Sequence, residues 1–582
     1  MKNTIIISIL ILFTASCATV PPNMSETTAG SMTKEERAQA DAYYHFAAGN
    51  LLEQDGEFDA ALKEYEAAYS LDPHAAEIAL SLAALYIRKG QLDQATVFAQ
   101  KAAELAPNKT DALLMLASVY TNKKKYDEAA DIYRKVIALD PKRDEPYMYL
   151  GSLYAAMKRY DEAVATFNAL AKVNPSSLMP PYYLGRIYTE RQMYPEALAE
   201  FKKAVALRDD FEPAYTSMGF VYELMDRTGD AIEMYKTSLM INPHNLEIMQ
   251  HLGQLYIQQN DLNDALEQLK RVVALDPKNY DAHIKMGLIY AEKKQYDKAV
   301  DSFMIVSNAL PDDLKVKRYL ASTYVAMERY DDALKVYTAI LAAAPDDTDT
   351  LLQIAYIYAQ QKRTAEAVPL LEKALREQPG KPELYLYLAN AYMDVDKPQQ
   401  AVDILKKGIE LAPDRDDLVF SLAIAYEKLG RRDDMIAALK KTLSLKSDNA
   451  DALNYLGYTY AEKGEYLDEA IQLIKRALVL KPDNGYILDS LAWAYYQKGM
   501  LSEALEVMTK AVAKTPDDDP VMREHYGDIY LKLSKKDKAR EQWLRSLELD
   551  PKNEKLKDKF KAAGFGDPDI LLKDVKPRKN KK

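Results

Sequence analysis

Histidine and cysteine side chains bind metal ions and act as nucleophiles, and this 582-residue chain has six histidines and one cysteine. Only His244 and His251 lie near each other along the chain, and a predicted helix start separates them. A zinc site needs three or four such ligands held together. The sequence therefore predicts no metal site and no bound cofactor.

Other catalytic patterns are missing from the sequence as well. It has no glycine-rich phosphate loop followed by Lys-Ser or Lys-Thr, no dinucleotide fingerprint and no nucleophile elbow. Its 88 acidic residues outnumber the 77 basic ones, whereas a nucleic-acid binder shows a basic face. We therefore predict that the protein is not an enzyme, has no catalytic residues and does not bind nucleic acid.

The single cysteine, Cys17, follows an apolar segment at residues 5–13 that begins after one lysine. The segment is too short to cross a bilayer but has the length of a signal-peptide core. Small residues at 15 and 16 before the cysteine resemble the lipobox of bacterial lipoproteins, although Thr14 replaces the usual aliphatic residue. An ordinary secretory peptide, cut at a nearby small residue, is the alternative.

The lipobox resemblance implies cleavage before Cys17 and transfer of a diacylglycerol to its sulfur. The next residue is Ala18 and not aspartate, which in that family indicates an outer-membrane lipoprotein facing the periplasm. We accordingly predict a lipoprotein signal peptide at 1–17 with a lipid anchor on Cys17. Residues 18–41, rich in Pro, Ser, Thr and Gly at their start, are predicted to form a flexible tether leading into the first helix.

A repeat of 34 residues runs through most of the chain. The 42 tyrosines greatly exceed the 12 phenylalanines, and many keep this period: Tyr86, Tyr120, Tyr154, Tyr188, Tyr222, Tyr256, Tyr290, Tyr324, Tyr358, Tyr392, Tyr426 and Tyr460. The fourth repeat carries a full helix–turn–helix pattern: Tyr147, Leu150, Gly151, Tyr154, Ala163, Phe167 and Pro175. The chain thus resembles the tetratricopeptide repeat (TPR) family. The resemblance implies an all-α, right-handed superhelical solenoid of about fifteen repeats.

The register divides the chain into segments. Repeats 1–11 are predicted at 42–415, and repeats 13–15 at 450–553. Repeat 12, at 416–449, diverges because Met435 replaces the small alanine and Ser447 replaces the closing proline. We predict a weak joint there. Residues 554–582 are predicted to form a capping helix and a basic tail.

TPR proteins bind other proteins through a groove lined by the first helix of each repeat. The resemblance implies a groove in this chain lined by Phe46, Asn50, Leu114, Tyr182, Arg186, Phe220, Gln254, Arg318, Tyr356, Asn390, Phe420, Tyr458 and Trp493, with Leu288 and Asp489 among further members. At each position the alternative is simple packing against the adjacent first helix.

The predicted function is a non-catalytic scaffold tethered to the bacterial envelope, which recruits envelope proteins through this groove. The alternative is a component of exopolysaccharide export or assembly, because aromatic and amide side chains also suit a glycan. Some bacterial TPR lipoproteins resemble such export components.

Overall fold

The computed structural model describes residues 33–573, and every regular element in that range is a helix. The predicted signal peptide, Cys17, most of the predicted tether and the basic end of the tail lie outside the described residues. The all-α prediction is confirmed. No helix within 33–573 combines the length and the apolar character needed to cross a membrane.

The described chain forms two compact units, which meet in sequence between residues 277 and 278. The helices of the first unit are α1 Lys34–Gln54, α2 Phe58–Leu71, α3 Ala76–Arg88, α4 Leu92–Leu105, α5 Thr110–Asn122, α6 Tyr126–Leu139, α7 Asp144–Ala156, α8 Tyr160–Val173, α9 Met179–Glu190, α10 Tyr194–Leu207, α11 Glu212–Leu224, α12 Thr228–Ile241, α13 Leu246–Gln258 and α14 Leu262–Leu275.

The helices of the second unit are α15 Tyr280–Glu292, α16 Tyr296–Ala309, α17 Leu314–Ala326, α18 Tyr330–Ala343, α19 Thr348–Gln360, α20 Thr364–Glu377, α21 Pro382–Asp394, α22 Pro398–Leu411, α23 Asp416–Lys428, α24 Arg432–Leu445, α25 Ala450–Lys463, α26 Leu467–Leu480, α27 Gly485–Gln497, α28 Leu501–Lys514, α29 Pro520–Lys532, α30 Lys536–Leu549, α31 Glu554–Ala562 and α32 Pro568–Lys573. In both units, consecutive helices pair as the first and second helix of one repeat.

The turn inside each repeat needs one residue with positive φ. Glycine meets this need at Gly56 and Gly90 near the start and at Gly430 in the second unit. In most of the intervening repeats a residue with a side chain adopts the same left-handed conformation, such as Lys294 at φ 57°. The turn is therefore set by the packing of the two helices and not by glycine alone.

A small residue in the first helix lets the second helix approach closely. A Cβ added to Gly151 would lie 2.6 Å from the Phe167 ring, and one added to Gly287 would lie 2.5 Å from the Phe303 ring. Three residues further along the first helix, the periodic tyrosine is buried in most repeats, including Tyr154 and Tyr290. These tyrosines are therefore packing residues of the repeat.

The last apolar face of the second unit is covered by two short helices. Trp543 and Leu547 of α30 are fully buried against Leu556 and Phe560 of α31. Leu571 of α32 packs on the same group. Lys557 on α31 pairs with Asp569, its Nζ lying 3.1 Å from Oδ1, so that an ion pair joins α31 to α32.

Candidate functional site

One register position of each first helix directly follows the small residue that packs against the second helix, and one step along a helix turns a side chain by about 100°. We call the residues at this position the first-helix row. In the first unit the row includes Arg186, Phe220 and Gln254. In the second unit it comprises Leu288, Ser322, Tyr356, Asn390, Ile424, Tyr458, Trp493 and Asp528.

The row supplies the most exposed residues of the predicted groove. Phe220 is 52% exposed and Tyr356 is 49% exposed. Arg186 and Asn390 are also exposed. Among the other predicted groove residues, Leu288 is exposed, Asp489 is buried and the rest are half-buried. Several of them have partners within the fold.

In the first unit, Arg186 and Phe220 border a cleft of about 290 Å³, which we call the Arg186 cleft. The ring of Phe201 lines it, together with the hydroxyl-bearing residues Thr216 and Ser217. Both hydroxyls are already used, because Thr216 donates to Glu212 and Ser217 donates to the Pro213 carbonyl. Thr189, which donates to the Gly185 carbonyl, and Glu190 complete the lining. The cleft therefore presents an aromatic wall, one cation and one carboxylate.

Arg186 forms no ion pair with any described residue. Its guanidinium instead lies 5.9 Å from the ring centre of Tyr182 and 5.8 Å from that of Tyr183. Such contacts orient an arginine without neutralising it. Tyr182 is held in turn by the Phe211 ring at 5.1 Å, edge to face. The structure thus brings together Tyr182, Arg186 and Phe220 of the predicted set.

Three other predicted residues of the first unit serve packing. The Phe46 ring lies 5.7 Å from the Tyr65 ring, and Asn50 accepts a 2.8 Å hydrogen bond from the Tyr65 hydroxyl. Leu114 packs on the core between α5 and α7. Gln254, in the first-helix row, is half-buried.

In the second unit, Arg318 and Phe420 are engaged inside the fold. The guanidinium of Arg318 is 3.1 Å from Asp347, and its Nε is hidden without a hydrogen bond. The Phe420 ring meets the edge of Tyr455 at 6.4 Å. Tyr356 and Asn390, by contrast, present their side chains to solvent.

Near the C-terminal end, Trp493 belongs to an aromatic and charged group that we call the Trp493 cluster: Tyr458, Asp489, Trp493, Tyr496 and His525. The Trp493 ring stacks on His525 at 4.1 Å and on Tyr496 at 4.9 Å. His525 Nδ1 lies 3.0 Å from Asp489 Oδ1, and both residues are buried. Tyr458 completes the group, with its ring 6.4 Å from His525.

Charges in and around the cluster shift two pKa values. Burial alone would lower the pKa of His525, but the charge and hydrogen bond of Asp489, together with the charges of Asp528 and Glu524, outweigh it and raise that pKa. Burial also raises the pKa of Asp528, although Lys559 opposes the shift from 2.6 Å. Trp543 donates to the same carboxylate at 3.0 Å. Asp528 and Lys559 thus form a second charged layer beside the cluster.

The repeat pattern does not indicate that His525 and Lys559 lie in or beside the Trp493 cluster. His525 lies two positions before the small Gly527, outside the predicted groove positions, and Lys559 lies on α31, beyond the last repeat. Ser322 and Ile424 were also missed. Their place in the row could be predicted from the sequence, because each directly follows the small residue in the 34-residue register.

Within the described range, no group of three His, Cys, Asp or Glu side chains is arranged to hold a metal ion. The arrangement instead offers aromatic faces, amides and charged groups for non-covalent contact.

Comparison with known families decides the identity. One tetratricopeptide repeat family model matches residues 52–119, 120–179, 224–273, 358–423 and 467–524, more than half of the chain. The chain is a tetratricopeptide repeat protein. Further TPR models match 95–144, 253–294, 320–382, 420–485 and 522–553. TPR proteins are generally non-catalytic, and their fold is typical of protein–protein interaction.

No curated protein matches this TPR protein in a sequence search. Among solved structures, it is similar to the Cut9–Hcn1 hetero-tetramer of the APC/C, with 16% identity over 84% of this chain and 96% of the other, and a TM-score of 0.37. MamA matches 29% of this chain and 91% of its own at 28% identity, with a TM-score of 0.26. A TPR protein from Cytophaga hutchinsonii matches 41% of this chain and 99% of its own, with 17% identity and a TM-score of 0.35.

Proposed function

We propose that this TPR protein is a non-catalytic scaffold of the bacterial cell envelope, held at the outer membrane by a lipid on Cys17. It recruits partner proteins through the first-helix row. The observation that carries the proposal is the exposure of Phe220 and Tyr356 at the same register position in the two units. Large apolar side chains at a repeated, solvent-facing position serve contact with another molecule.

The Arg186 cleft supports the same function. An unpaired guanidinium beside an exposed aromatic ring combines the two residue types that dominate protein interfaces. Because Arg186 is already oriented by two tyrosine rings, little side-chain entropy is lost when a carboxylate or a carbonyl group binds to it.

Site-specific photo-crosslinking in cells tests the binding surface. Photoreactive residues at positions 220 and 356 should capture distinct protein partners. Matched controls are Met240 on α12 and Val479 on α26, which are 80% and 81% exposed but lie on second helices. Equal labelling from the control positions would contradict the proposed surface.

The anchor is tested separately. Cys17→Ala should abolish labelling by a fatty-acid probe and move the protein into the soluble fraction. Cys17→Ser serves as the isosteric control and should behave in the same way. Continued labelling of both variants would rule out lipidation at this residue.

A further inference from the structure

From α15 to α23 of the second unit, the first-helix row alternates between apolar and polar residues. Ile424, the last residue of the alternation, is half-buried, and the row continues with Tyr458 and Trp493. Leu288, Tyr356 and Ile424 occupy every second repeat, 68 residues apart, and Ser322 and Asn390 lie between them. Leu288 is 40% exposed, Tyr356 is 49% exposed, and both polar residues are exposed. Packing within the fold has a period of one repeat, so it does not account for an alternation over two repeats.

The separation between the apolar row residues sets the spacing of the side chains that a ligand would need to contact them. Neighbouring packed helices are separated by about 10 Å, so apolar residues two repeats apart are separated by about 20 Å. An extended chain covers about 20 Å in six residues, at about 3.3 Å each. Six is an even number, so residues six apart project from the same side of an extended chain.

The intervening polar residues decide between an extended and a helical ligand. A helical ligand with anchors fourteen residues apart would span about 21 Å over about 3.9 turns, so the spacing alone admits it. An extended backbone, unlike a helix, leaves N–H and C=O groups to be satisfied. The Asn390 amide can both donate and accept, and the Ser322 oxygen can accept.

The electrostatic environment at the end of the row specifies the charge of the ligand. Burial and then the negative charges of Glu462, Asp489, Glu524 and Glu427 raise the pKa of Tyr458 to about 12. These four carboxylates and Asp528 face three cationic groups in the same region, Arg432, Lys559 and His525. Glu462, Asp489, Glu524 and Asp528 each pair with one of these cations, and Glu427 accepts from the Tyr455 hydroxyl. The net charge beside the Tyr458 and Trp493 rings is therefore negative, an environment that suits a lysine or arginine side chain.

We propose that the second unit binds an extended polypeptide segment of a partner protein that carries apolar side chains six residues apart and a lysine or arginine at one end. The apolar side chains contact Leu288, Tyr356 and Ile424, and the cationic end lies at the Trp493 cluster. This inference rests on the proposed function, because it names the kind of partner that the first-helix row selects.

Binding of synthetic peptides to the full chain tests the spacing. Fluorescent peptides should carry three leucines in a Ser/Asn background with two terminal lysines, and should differ only in a leucine spacing of five, six or seven. We expect the spacing of six to bind at least about tenfold more tightly, since odd spacings turn one anchor away from the surface. Equal affinity for all three spacings would overturn the proposal.

Variants locate the effect on the row. Tyr356→Ser should remove the preference for six, and Ser322→Leu should weaken it by filling the polar gap. Val479→Ser, a change at an exposed residue of α26, should leave the preference intact. Loss of the preference in the control variant, or its persistence in Tyr356→Ser, would contradict the assignment.

Replacing the terminal lysines by glutamates should weaken binding by about tenfold at low salt and by less at high salt. Unchanged affinity would overturn the charge assignment.

The proposed function and the proposal of an extended ligand are refuted by different results. Crosslinking from position 356 without any spacing preference would leave the proposed function standing and refute only this inference. Absence of both crosslinking and peptide binding would refute the two together.

Discussion

The Arg186 cleft and the Trp493 cluster use similar residue types in opposite ways. In the cleft, Arg186 is exposed, lies near two tyrosine rings and forms no ion pair with a described residue. In the cluster, His525 is buried, stacked under Trp493 and paired with Asp489. A charge left unpaired at the surface is available to a ligand, whereas a charge paired inside the fold contributes to its stability.

Aromatic residues of the first-helix row also occupy two different environments. Phe220 is 52% exposed, but Trp493 at the equivalent position is stacked on two neighbouring rings. The same register position is thus open to solvent in one unit, and takes part in packing at the C-terminal end of the other.

The largest expected difference between the two regions is in stability. Asp489→Ala leaves His525 buried without its carboxylate and should lower the free energy of unfolding of the second unit by about 3–5 kcal/mol. Arg186→Ala should change stability by less than about 0.5 kcal/mol, because its side chain is exposed. Urea unfolding followed by hydrogen exchange in each unit measures both values, and similar losses for the two variants would break the comparison.

A second test measures how tightly α11 and α12 pack beneath the Arg186 cleft. A Cβ added to Gly219, beside Phe220, would lie 2.6 Å from the Tyr235 ring, whereas one added to Gly253 would lie 3.6 Å from Leu269. Gly219→Ala should therefore cost about 1–3 kcal/mol, and Gly253→Ala should be neutral or stabilising because alanine favours helices. Thermal unfolding of the two variants gives the answer, and a tolerated Gly219→Ala would indicate loose packing under the cleft.

The pH dependence of stability should distinguish the regions further. The pKa of His525 is raised in the folded state. Its stabilising contribution is therefore complete below the unfolded value of about 6.5 and is lost as the pH rises through the folded value, with a slope of at most about 1.4 kcal/mol per pH unit.

The melting temperature of the second unit should accordingly fall as the pH is raised above about 6.5, and Asp489→Asn should flatten this dependence. Asp489→Asn retains the size of the side chain, so it serves as the conservative partner of the alanine variant. An unchanged pH profile in Asp489→Asn would contradict the role assigned to the pair.

The smallest expected effect concerns residues 416–449, which precede the cluster in sequence. Met435 takes the position of the small residue in α24 and is buried, and Ser447 replaces the proline after it. We predict that amides of α23 and α24 exchange with opening free energies about 1 kcal/mol lower than those of the flanking repeats. Exchange as slow as in α25 and α26 would argue against a weak joint.

The repeat could be predicted from the sequence because the residues that define it lie within about 30 positions of each other. Gly151, Tyr154 and Phe167 recur in a register of 34 residues, and each type has a steric reason to occupy its place. The helix pairs and the buried tyrosines follow from that register. The register position of Phe220 and Tyr356 follows from the sequence too, because one step along a helix turns the residue after the small one by about 100°.

Tertiary structure alone decided which of the predicted groove residues are available to a ligand. Asn50 is bonded to Tyr65, Arg318 to Asp347, and Trp493 is stacked on His525, through contacts between residues 15 to 32 positions apart. A repeat pattern assigns the same orientation to every copy of a position, but burial depends on the neighbours that each copy meets. The sequence therefore determined the repeated fold and the register of the first-helix row, while packing between neighbouring repeats determined where that row remains exposed.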